Sequence, residues 1–177
     1  MAFQIMTVHL VAFVVGAGYG KMVAASTMGV VSMTSMLGRY LVGLGSDRLG
    51  RVPALMLAYA GTTLGILSLM ALPFVGSVAL FLFVVFYGLS QGSAGIVMTA
   101  RAADLFQGGN FGRICGWIGV ANGIGEGLGA WLGGAVFDRT GSYSAAFGTP
   151  IVSLALGAAA LRRTYRKGMS VQVPDCM

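Results

Sequence analysis

Residues 38–51 read Gly38-Arg39-Tyr40-Leu41-Val42-Gly43-Leu44-Gly45-Ser46-Asp47-Arg48-Leu49-Gly50-Arg51. An arginine stands inside an apolar, small-residue run, and the run then closes on a charged turn signal, Asp-Arg-x-Gly-Arg. The pattern G-x-x-x-D-R-x-G made by Gly43, Asp47, Arg48 and Gly50 returns as Gly134, Asp138, Arg139 and Gly141, offset by 91 residues. Working outward from the two copies, charge and Gly/Pro punctuation divide the chain into six apolar spans: 2–19, 23–46, 53–73, 77–99, 112–136 and 143–161. Each copy closes the middle span of a set of three. Three is odd, so the second set would run through a membrane upside down relative to the first. The expected fold is therefore an all-α membrane protein whose six transmembrane helices form two inverted three-helix repeats.

Composition supports a membrane reading on its own terms. The 177 residues are 56% hydrophobic and 9% charged, where soluble domains carry ~25% charged residues. The mean hydropathy is +0.84, and the apolar character is spread over the whole length rather than gathered in one anchor. A net charge of +6 would raise nucleic acid in a soluble protein; here it reads as topology, and no nucleic-acid partner is expected. Arg48, Arg51, Arg101, Arg113, Arg162, Arg163, Arg166 and Lys167 fall on one side, against Lys21 and Arg139 on the other. By the positive-inside rule the richer side is cytoplasmic, placing both termini there, in a plasma (inner) membrane. The domain expected is a bundle over 1–167 followed by a cytoplasmic tail, 168–177. The first span has no leading polar segment, carries Gln4, Thr7 and His9, and reads as a shortened helix. Cys115 and Cys176 have no metal-ligand spacing, so neither metal nor cofactor is expected. The one histidine, with no H-E-x-x-H, G-x-S-x-G or Walker loop, argues against an enzyme.

Two ionic residues fall deep inside spans. Arg39 precedes Asp47 by eight positions, which at 1.5 Å per residue puts it roughly 12 Å inside the cytoplasmic end of a ~30 Å core. A guanidinium at that depth costs about 2.5–3.5 kcal/mol on insertion scales, so it should face a cavity or a partner, and its planar fork suits a carboxylate. Ser35, one turn earlier, shares its face. Glu126 is the one acid of comparable depth, 13 residues after Arg113 and 12 before Asp138. A low-dielectric surrounding favours a neutral carboxyl, which makes Glu126, with Asn122 one turn before it, the candidate for carrying a coupled proton. The bland alternative is a permanent Arg39–Glu126 ion pair. Tyr87 and Gln91, at i and i+4 on the fourth span, and His9 are further candidates for lining a cavity. Glycines 112, 116, 119, 123 and 127, with 125, 129 and 133 alongside, give overlapping small-xxx-small spacings along the fifth span, which predicts close helix packing there. Asp47 would cap the positive N-terminal end of the fifth span in one state of a moving bundle, with Arg101 and Asp104 on the neighbouring loop joining it.

The 38–51 run resembles the helix 8 and loop 8/9 signature of the major facilitator superfamily, closest to its monocarboxylate porter and oxalate/formate antiporter branch. Gly112-Arg113 through Gly116-Trp117 to Phe137-Asp138-Arg139-Thr140-Gly141-Ser142-Tyr143 resembles helices 11 and 12 of the same branch. The resemblance implies alternating-access transport of a small organic anion, with Arg39 binding a substrate carboxylate. It also implies that Gly43, Asp47, Arg48, Gly50 and Arg51 form a gating loop. It covers the C-terminal six-helix half of a twelve-helix architecture, so the expected partners are the lipid bilayer, the anion and a second six-helix half, separately encoded or a second copy. Oxalate-exchanging relatives place a base on the helix where this chain has Glu126, which points to a monocarboxylate rather than a dicarboxylate held by two cations. The rival expectation is a membrane scaffold, or an inactive fragment, that transports nothing.

Overall fold

A computed structural model describes residues 2–105, 111–141 and 143–169; residues 170–177, most of the expected tail, lie outside the described residues. Every regular element among the described residues is an α-helix: α1 (Ala2–Gly16), α2 (Lys21–Leu49), α3 (Arg51–Met70), α4 (Leu72–Val75), α5 (Ser77–Ser90), α6 (Ser93–Leu105), α7 (Phe111–Thr140) and α8 (Tyr143–Met169). The helices run past the expected spans at several ends, because α-helical backbone satisfies its own hydrogen bonds well beyond the apolar stretch. Arg51–Met70, and Ser77–Leu105 taken through the α5–α6 break, are long and apolar enough to cross a membrane; Phe3–Gly16 is apolar and shorter.

The fourth span departs from expectation. Instead of one helix over 77–99 there are two, because Gln91 is extended and Gly92 takes φ +79°, a left-handed conformation that side-chain-bearing residues rarely adopt. The repeated motif ends its two helices alike. Gly50 at φ +92° closes α2, and Gly141 at φ +63° closes α7, donating its N–H to the Phe137 carbonyl at 2.7 Å.

Packing follows the same duplication. With α1–α3 exchanged for α5/α6, α7 and α8, the pairings of these helices have counterparts, while α4, which packs on α3 and α5, has none: α2 with α3 matches α7 with α8, α1 with α2 matches α6 with α7, and α3 with α8 maps onto itself. The core lies where Ile5, Met6, Leu10, Phe13 and Val14, one face of α1, meet Ile66 and Leu69 of α3, Phe83 and Tyr87 of α5, and Phe147 of α8. Phe13 and Phe147 meet edge-on, with centroids 5.0 Å apart.

The repeat spacing places the close glycine contacts only in part: Gly129 and Gly133 of α7 are buried, with a Cβ on Gly133 3.0 Å from the His9 ring, but the tightest contacts lie elsewhere. A Cβ on Gly38 of α2 would strike the Leu89 carbonyl, one on Gly65 of α3 would lie 2.7 Å from Tyr87 Cβ, and one on Gly88 of α5 would lie 2.8 Å from Thr34 Cβ. By contrast a Cβ on Gly112, Gly116, Gly119, Gly123 or Gly127 of α7 meets nothing within 4 Å. That face of α7 is open within this chain, and only Gly129 and Gly133 of the helix are buried. Apolar side chains also cover the outside of the bundle, with Met33, Met36 and Leu37 on α2, Trp117 and Trp131 on α7 and Leu156 on α8 all more than half exposed.

Candidate functional site

The α5–α6 break sits beside Arg39. A Cβ on Gly92 would fall 2.5 Å from Arg39 Nε and 3.0 Å from its Cζ, so the guanidinium occupies the space that the missing side chain leaves. Two features put it there: Gly38 lets α2 approach Leu89 closely, and the positive φ of Gly92 turns the chain out of α5.

Arg39 and Gly92 form part of the wall of an open groove of about 790 Å³. Gln4 and Thr7 of α1, Gln91 of the break, and Cys115, Asn122 and Glu126 of α7 contribute polar groups to it, with Tyr59 of α3 and Ser153 of α8 at its edge. The Pro150 carbonyl, inside α8, accepts a hydrogen bond from Ser153 Oγ at 2.9 Å. A second, shallower hollow of about 490 Å³ runs from Arg39 along Gly95, Thr99 and Ala103, one face of α6. Arg39 and Glu126 are the two charged side chains lining the larger groove, both exposed to it, and they are not an ion pair: the ion pairs among the described residues are those of Arg51.

Of the residues singled out from sequence, Arg39, Gln91, Asn122 and Glu126 meet in this groove. Ser35, Tyr87 and His9 do not line it. Ser35 is buried and its hydroxyl donates to the Ser32 carbonyl at 2.7 Å. Tyr87, 2% exposed, stacks on Phe83 with centroids 4.8 Å apart and donates its O–H to the Phe3 carbonyl at 3.1 Å, so it holds α5 to α1. The ring of His9 packs against α7, 3.0 Å from where a Gly133 Cβ would lie. Sequence reasoning passed over Gln4, Thr7, Tyr59, Cys115, Ser153 and Gly92 as groove residues. The run Ser90-Gln91-Gly92-Ser93 inside an apolar span was the available signal for the break.

The charged turn after α2 forms a separate cluster. Arg51 donates to Asp104 Oδ2 at 2.9 Å through Nε, and through one terminal nitrogen to Ser46 Oγ at 2.7 Å and Asp47 Oδ1 at 2.5 Å. One guanidinium thus ties the end of α2 and the start of α3 to the end of α6. Asp47 pairs here with Arg51 rather than with the start of α7, Arg48 is exposed, and Arg101 keeps one terminal nitrogen buried without a hydrogen-bond partner. Gly43 lies within α2 and Gly50 at its closing turn. No group of three or more metal-ligating side chains is present among the described residues.

Comparison with protein-family models, with curated proteins and with solved structures finds no match to this chain.

Proposed function

We propose that this chain is a membrane-embedded carrier half that moves a small organic anion, a monocarboxylate, by alternating access, and that it is a C-terminal half of the major facilitator type. The observation that carries the reading is the state of Arg39: a guanidinium well inside α2, laid into a helix break and facing a groove it shares with Glu126 without pairing to it. A purely structural arginine at that depth would be neutralised in place, since an unpaired charge there is costly. An arginine left open to a groove is poised to take a carboxylate through two parallel charge-assisted hydrogen bonds.

Other features support the same reading. The apolar exterior of α2, α7 and α8 fits lipid or another apolar bundle better than water. The duplicated motif and the packing fit an inverted repeat, and the groove is lined by residues of both sets of three helices. One bundle leaves the groove open-sided, so a second six-helix bundle, from another chain or another copy, completes the pathway. The Arg51 cluster then acts as the cytoplasmic latch of one state, and Glu126 is the site where a coupled proton resides. Both chain termini face the cytoplasm in this arrangement.

The test is uptake of a radiolabelled monocarboxylate into vesicles holding the chain together with its second bundle. Uptake that disappears in Arg39→Ala while the variant is still inserted and expressed is the expected result. Equal uptake by Arg39→Ala and the parent, or none by either, rejects the carrier reading in favour of a scaffold.

A further inference from the structure

The groove's charge balance says more about the cargo than its cation does. Among its lining residues the charged groups are one guanidinium on α2 and one carboxylate on α7, further apart than the 4.0 Å of an ion pair. Their charges cancel before any ligand enters. A plain monocarboxylate would satisfy Arg39, leave Glu126 without a partner and bring an unbalanced negative charge to a site bordered by apolar helices, where such imbalance is costly. A solute with a carboxylate at one end and an ammonium at the other leaves the filled groove neutral and gives each wall an opposite charge. Asn122, one turn from Glu126, and Gln91, beside Arg39, add amide oxygens and N–H groups that suit the two ends. The volume of about 790 Å³ lies within the ~300–1,000 Å³ range of small-molecule sites.

We infer that the ligand is a zwitterionic amino carboxylate, its carboxylate on Arg39 and its ammonium on Glu126. The inference rests on the carboxylate role of Arg39 proposed above and refines the class of carboxylate. In this arrangement Glu126 stays ionised as the counter-ion of the ammonium, in place of the coupled-proton role given to it above.

Calorimetric binding to the full chain in lipid nanodiscs separates the two levels. The probes are the ω-amino carboxylates from glycine to 6-aminohexanoate and the plain carboxylates of matched length. The expected result is that the best amino carboxylate binds about fivefold or more tighter than its plain match. The isosteric Glu126→Gln variant should lose that preference, binding the plain acid more tightly than the parent does and the amino carboxylate more weakly, and Arg39→Ala should lose both ligands. If the plain acids bind in an Arg39-dependent way with no preference for the amine, or if Glu126→Gln keeps the preference, the zwitterion inference falls and the monocarboxylate reading stands. If no probe binds, or Arg39→Ala binds them as the parent does, both fall together. Size-exclusion profiles of each variant establish that the chain is folded.

Discussion

Replacing Gly92 with alanine perturbs the site without touching any charged group. Two effects follow from the geometry. The first is backbone strain: φ is +79°, and holding a non-glycine residue in the left-handed region costs of order 1–2 kcal/mol. The second is displacement: the new methyl would sit 2.5 Å from Arg39 Nε, 2.9 Å from a terminal nitrogen and 3.0 Å from Cζ. Those atoms are the far end of a flexible side chain, so the guanidinium swings away instead of forcing the helices apart. A carboxylate that made charge-assisted hydrogen bonds worth about 1.5–3 kcal/mol to Arg39 then loses most of them, a drop in affinity of roughly ten- to a hundredfold. Gly141→Ala is the internal control. Its φ is +63°, and a Cβ there meets nothing within 4 Å, so it carries the strain without displacing an arginine. Thermal unfolding of both variants should fall by similar amounts, while carboxylate uptake should show a raised KM in Gly92→Ala alone. A Gly92→Ala protein with parental KM, or a KM change equal to that of Gly141→Ala, would refute the idea that the helix break seats the arginine.

Further outcomes test the surrounding structure. Gly38→Ala should destabilise the bundle by about 1–3 kcal/mol, because the methyl meets the Leu89 main-chain carbonyl, which cannot swing aside. Gly119→Ala on the open face of α7 meets nothing and should not destabilise the chain, raising its stability by up to about 1 kcal/mol because alanine is the better helix former; comparing their melting curves checks both. Tyr87→Phe removes the hydrogen bond to the Phe3 carbonyl and should cost about 0.5–1.5 kcal/mol in chemical unfolding. It should leave the KM for a carboxylate as it was, since the ring is outside the groove. Asp104→Asn weakens an exposed ion pair with Arg51, so its effect on stability should be small and shrink further in molar salt. Alkylation of Cys115, measured with Cys176 replaced by serine, should quicken in Asp104→Asn if the Arg51 cluster restrains the groove.

The meeting of Arg39 and Glu126 in one groove shows how far a linear reading reached. Both residues were conspicuous from depth alone, since each stands well inside an apolar span and far from a loop. Asn122 was legible one turn before Glu126, and Gln91 one turn after Tyr87 on the fourth span. Tyr87 and His9 were legible as polar groups in apolar spans, yet a one-dimensional period says which residues share a face and not what that face meets. Tyr87 faces α1 and His9 faces α7. The glycines illustrate the same limit from the other side: α7 has the regular spacing, whereas the tight contacts fall on Gly38, Gly65 and Gly88, each singled out by a partner on another helix.

Sequence by itself determined the helical class, the approximate spans, the duplicated turn motif and the two deep ionic residues, because each depends on local periodicity or on the cost of charge among apolar neighbours. Tertiary structure alone decided that the fourth span breaks at Gly92, that the Arg39 guanidinium fills the gap, and that Arg51 ties Asp47 to Asp104. Those depend on which backbone atoms come within a few ångströms of each other across helices distant in the chain, and neither composition nor spacing carries that information.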